Sequence, residues 1–145
     1  MGSRSVIVLD TNVISELVKP VPDLAVMAWA ESLFRGEMFA TAISEAEMRV
    51  GVDILPDSRR RRELERAMRT MLDVVLEGRV LPFDRAAAGH FAEIASARRR
   101  SGRPVGKADL QIAAIAKSRN ARLIATRNIL DFEDTGTALI NPWAR

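Results

Sequence analysis

Three acids draw attention by where they fall. Asp10 ends the unbroken apolar run Val6-Ile7-Val8-Leu9, Glu47 follows closely on a second short run, Met38 to Thr41, and Asp109 precedes Ile112, Ala113 and Ala116 by three, four and seven residues. That last spacing puts Asp109 on the apolar face of a helix. A carboxylate facing inward needs a partner, and drawing three of them together demands protons or a metal ion. Oxygen-only donors select a hard cation, Mg²⁺ or Mn²⁺. Such an ion suits phosphodiester hydrolysis, because it orients and acidifies a water and neutralises charge on the phosphorus oxygens.

Composition narrows the chemistry further. The 145 residues include no cysteine, which removes thiolate nucleophiles, Cys-ligated zinc and disulfides, and one histidine, His90, which cannot build a two-histidine acid/base pair. Lys plus Arg number 22 against 19 Asp plus Glu, so the net charge of +3 is modest. Distribution says more: Arg59 to Arg62, and Arg98 to Arg100 with Arg103, concentrate positive charge in two places. No apolar stretch approaches the roughly 20 residues of a membrane-spanning helix, no signal peptide is expected, and the expected location is cytoplasmic.

The elements that must position the acids alternate between strand and helix. Strand patterns occur at Val6 to Leu9, Met38 to Thr41, Val80 to Phe83, Arg122 to Thr126 and Ala138 to Ile140. The run at Val80 carries Pro82 and suits a sheet edge. Helices are expected after Asp10, capped by Thr11 or Asn12; from Pro22-Asp23 through Phe34; from Ser44, where Ser44-x-x-Glu47 has capping-box spacing; from Ser58 to Gly78; after Asp84; and from Lys107 to Arg119. Arg98 to Gly106, basic and broken by Gly and Pro, reads as a loop. The alternation predicts one α/β domain over residues 1–145, a central, mostly parallel sheet with helices on both faces. In such a sheet, functional groups gather at the carboxyl ends of the strands, where Asp10, Glu47, Asn128 and Asp131 all fall.

Less chemical roles are available to each acid. Asp10 can cap a helix, Glu47 can complete the capping box, and Asp109 can favour a helix dipole. Arg49 is equally a surface charge or a phosphate contact. On those roles the chain is a protein-interaction module, or a receiver-like regulatory module that binds Mg²⁺ around a phosphoacceptor aspartate. A haloacid-dehalogenase-type phosphatase wants an acid two residues after its nucleophile, where this chain has Asn12.

Val8-Leu9-Asp10-Thr11-Asn12-Val13-Ile14-Ser15-Glu16-Leu17 resembles the opening of PIN-domain ribonucleases, especially the VapC and FitB-like toxins of bacterial toxin–antitoxin pairs. Thr41-Ala42-Ile43-Ser44 with Ala46-Glu47-Met48-Arg49-Val50-Gly51-Val52 is similar to their second motif, Gly106-Lys107-Ala108-Asp109-Leu110-Gln111-Ile112-Ala113-Ala114 to their third, and Ala125-Thr126-Arg127-Asn128, Asp131-Phe132 and Asn141-Pro142-Trp143 to their C-terminal part. The resemblance implies a three-layer α/β/α fold and Mg²⁺- or Mn²⁺-dependent endonucleolytic cleavage of RNA. It implies metal binding on Asp10 and Asp109, with Glu47 completing the catalytic acids; the candidate substrate contacts are Arg49, Arg127 and Asn128. It also implies a homodimer and a cognate antitoxin seated in an apolar groove near Leu17 and Phe34. Where many members carry a fourth aspartate this chain has Asn128, with Asp131 three residues on, which leaves one metal or two open.

Overall fold

The computed structural model describes residues 5–103 and 106–144. Its strands are β1 (Ile7–Leu9), β2 (Met38–Thr41), β3 (Val80–Leu81), β4 (Leu123–Ala125) and β5 (Leu139–Ile140). Its α-helices are α1 (Thr11–Leu17), α2 (Leu24–Glu31), α3 (Ala42–Asp53), α4 (Arg59–Arg69), α5 (Arg85–Arg100), α6 (Lys107–Ser118) and α7 (Ile129–Phe132). α4 continues into a π-helical turn, Thr70–Val75, where the Leu76 amide reaches back to the Met71 carbonyl.

All neighbouring strands are parallel, in the order β3-β2-β1-β4-β5. β1 lies at the centre because every residue in it is apolar and fully buried, the pattern of a strand covered on both sides. Alternation then divides the core. Ile7 and Leu9 point into a cluster with Val13, Ile14, Val26, Met71 and Leu72; Val8 points the other way, into a cluster with Ile112, Ile115, Ile124 and Phe132. The sheet order reverses between β1 and β4. The helix after β1 sends Val13 and Ile14 into the first cluster, whereas α7, after β4, sends Phe132 into the second. Two helices leaving neighbouring strand ends toward opposite faces open a crevice there, the topological switch point at which α/β sheets bind ligands.

Several local expectations are corrected. Asp10 itself, and not Thr11 or Asn12, caps α1, its carboxylate accepting the Thr11 amide at 2.7 Å. The Ser44-x-x-Glu47 box does not form, since Thr41 one turn earlier takes the cap and accepts the Ser44 amide at 3.1 Å. α2 stops at Glu31, leaving Phe34 outside it and 81% exposed. α5 runs on through Arg100, so the arginine-rich stretch is helical at its start; Pro104 and Val105, in the expected loop, lie outside the described residues. Asp23, Ser58 and Asp84 cap their helices as expected.

α7 has only four residues and is fastened by Phe132, which is fully buried. Phe132→Ala is expected to lower stability by about 3–5 kcal/mol through the cavity it leaves, as read by urea unfolding.

Candidate active site

The switch point is built around Asp10. Its backbone amide continues the ladder from β1 by donating to the Ala125 carbonyl at 2.9 Å, which fixes it beside the end of β4. One carboxylate oxygen accepts the Thr11 amide, and the other accepts the Thr126 hydroxyl at 2.7 Å. Thr126 is fully buried, and its Oγ1 also accepts the Asn128 amide at 3.0 Å. This one hydroxyl therefore holds the carboxylate and sets the turn that follows β4.

Glu47 belongs to a second arrangement. The Thr11 hydroxyl lies 2.7 Å from Glu47 Oε1 and 2.8 Å from Ser44 Oγ. A hydroxyl carries one proton and an ionised carboxylate only accepts, so Thr11 donates to Glu47 while Ser44 donates to Thr11. Thr41 Oγ1, 3.5 Å from Ser44 Oγ, starts the chain. Hydroxyls on β2, α3 and α1 thus end on an exposed carboxylate that retains a second oxygen.

Asp109 lies in the first turn of α6, above Gly106. Among the described residues no hydrogen bond or ion pair reaches its carboxylate. Burial, then the charges of Asp10, Asp131 and Glu47, push its pKa up to about 6, with Arg98 opposing. Burial also raises Asp10, against the hydrogen bonds from Thr126 and Thr11, and the charges of Glu47 and Asp131 add to the rise. The four acids therefore share one field. They do not close into a cage: among the described residues no three His, Cys, Asp or Glu side chains are gathered tightly enough to hold an ion by themselves. This donor set fits a Mg²⁺-like ion, which usually takes one or two carboxylates and keeps several waters. It does not fit a closed, all-protein site.

The expected substrate contacts are placed unequally. Asn128, exposed, stands at the N-terminus of α7 with no capping bond from its side chain. Arg127 follows β4 directly; its amide donates to Asn12 Oδ1 at 3.3 Å and its guanidinium lies 4.7 Å from the Trp143 ring centre. Arg49 is two residues past Glu47, about 200° around the helix, and is ion-paired with Glu45 at 2.6 Å. It is not brought to the acids.

Sequence reasoning passed over three contributors. Thr11 and Thr126 hold acids that are distant in the chain. Arg98, assigned to a loop, is buried, and its Nη2 donates to the carbonyls of Asp131 and Glu133 at 2.7 and 2.9 Å. A signal for it exists: Ala87, Phe91, Ile94 and Arg98 continue one 4-3-4 helical stripe.

The fold and its site define a parallel three-layer α/β domain with an acidic crevice at its switch point. The chain belongs to the PIN-domain family, which matches residues 7–136. It is 42% identical over 137 residues to the VapC ribonuclease Y4jK of Sinorhizobium fredii, covering 94% of this chain and 97% of that protein. The crystal structure of FitAcB from Neisseria gonorrhoeae is similar with a TM-score of 0.87 at 37% identity, over 96% of this chain and 99% of that one. VapBC-5 of Mycobacterium tuberculosis, from the VapBC family of toxin–antitoxin systems, is similar with a TM-score of 0.69 at 28% identity, over 94% and 98% of the two chains.

Because folded Asp109 binds its proton more tightly than the unfolded chain does, the metal-free protein should lose stability as pH rises from about 4, the ordinary aspartate range, through about 6. Asp109→Asn should raise the melting temperature at about pH 8 and give no gain below about pH 4. Thermal unfolding across that range measures both; a flat difference would show that Asp109 carries no repulsion.

Proposed function

We propose that the chain is a metal-dependent endoribonuclease acting as the toxin of a toxin–antitoxin pair. The observation that carries this is the pair of desolvated acids, Asp10 and Asp109, held at the switch point, both with proton affinity raised first by burial and then by neighbouring carboxylates. Burial that disfavours charge is tolerated where a cation supplies the balance. Kinship with a VapC ribonuclease supports RNA as the substrate, and the VapBC likeness supports an antitoxin partner.

In this reading Asp10 and Asp109 hold Mg²⁺ or Mn²⁺, which when bound supplies an acidified water and neutralises charge on the phosphate. Thr126 keeps Asp10 in one rotamer so that little reorganisation is needed when the ion enters. Glu47, with one oxygen engaged by Thr11, offers the other to a water proton. Asp131 contributes charge without a fixed contact to the pair, and Asn128 contributes none, which favours one tightly held ion over two. Arg127 and Asn128, at the end of β4, contact the RNA backbone, with Arg49 a more distant positive charge. The antitoxin covers the apolar cleft of about 390 Å³ lined by Leu17, Met27, Leu33 and Met71, which does not include Phe34. The working form is a homodimer in the cytoplasm. Among the described residues no helix is long and apolar enough to cross a membrane.

Purified protein incubated with total RNA in Mn²⁺ should cut it, EDTA should stop the cutting, and Asp10→Asn and Asp109→Asn should abolish it while folding normally. Thr126→Val, which removes only the hydroxyl behind Asp10, should lower Mn²⁺ affinity or cleavage by about 10–100-fold. Full metal-dependent cleavage by Asp10→Asn would refute the assignment.

A further inference from the structure

A cleft of about 240 Å³ opens between α1, α3 and α4, beside the acids. Thr11 and Glu47 stand among its lining residues, and Met48, Gly51, Leu64 and Met68 wall the rest. We propose that this cleft receives one nucleobase of the RNA strand, next to the phosphate that is cut; the inference rests on the ribonuclease reading and adds a specificity subsite to it.

Size, chemistry and position agree on that occupant. The volume is below the range of roughly 300–1,000 Å³ typical of drug-sized ligands, which suits a single ring system. Methionine thioethers meet aromatic rings favourably and adapt to their outline. The Glu47 carboxylate in the lining repels a phosphate but not a neutral base. Glu47 lines the cleft and lies close enough to Asp10 and Asp109 for its charge to act on both, so the cleft adjoins a phosphate seated there, and RNA is read mainly through bases splayed out of their stack. Gly51 is among the lining residues and is exposed. Glycine within a helix is less stable than alanine, yet a Cβ at Gly51 would meet no atom within 4 Å. The open volume there is not demanded by crowding.

The test uses the full chain in EDTA, with Met methyl resonances assigned through Met48→Leu and Met68→Leu, titrated with AMP, CMP, GMP and UMP and with ribose 5-phosphate. At least one nucleotide should shift the Met48 and Met68 methyls saturably, while ribose 5-phosphate leaves them in place. Gly51→Ala should keep the response and Gly51→Leu, filling the cleft, should weaken it by about tenfold or more. A cleft silent to all four nucleotides, or one that responds equally to ribose 5-phosphate or equally in Gly51→Leu, overturns the proposal; silence would point to a protein side chain as occupant. Metal-free titration is independent of cleavage. A protein that cuts RNA with a silent cleft loses only this inference, whereas one that binds a base but cuts no RNA loses the ribonuclease reading and, with it, the placing of the base beside a scissile phosphate.

Discussion

Repulsion between carboxylates that cannot be fully solvated is the constraint around which this molecule is organised. Asp10 is almost wholly buried and Asp109 partly so; burial raises the proton affinity of both, and the charge of Asp10 adds to the rise at Asp109. A fold selected only for stability would have replaced one of them. Sites that keep such strain usually do so because a ligand relieves it, and function is bought with stability elsewhere. Here that stability comes from the fully buried central strand and from two apolar clusters, one on each face of the sheet.

The same sheet order that buries β1 also creates the place where the acids meet. Helices that leave β1 and β4 toward opposite faces expose the two strand ends side by side, and the Thr126 hydroxyl bridges them by bonding Asp10 across 116 residues of chain. Arg98 performs a comparable service from the other face, gripping the carbonyls of Asp131 and Glu133 from the last turn of α5. Asp10 and the backbone that carries Asp131 are thus tied down from opposite faces of the sheet.

Much of this was legible in the residues. The run Val6 to Leu9 announced a doubly covered strand, and the spacing of Asp109 to Ile112, Ala113 and Ala116 announced an inward acid; both are local patterns with one period. What escaped was set by competition or by distance. Ser44 and Glu47 have capping-box spacing, but Thr41 stands three residues before Ser44 and takes the cap first. The run of arginines at 98–100 spoke for solvent, while the helical stripe that carries Arg98 inward spoke more quietly. No local spacing relates Thr126 to Asp10, so that bond becomes visible only once the sheet order is known. Three acids were expected to converge; a shared field is what the fold provides, without a closed cage.

The most direct test of that account is anomalous diffraction from crystals of the wild-type chain grown with Mn²⁺. The account predicts one strong peak within coordination distance of both Asp10 and Asp109, with waters completing its shell. A peak held by other residues, or Asp10 and Asp109 ordered with no peak between them at saturating Mn²⁺, would contradict it.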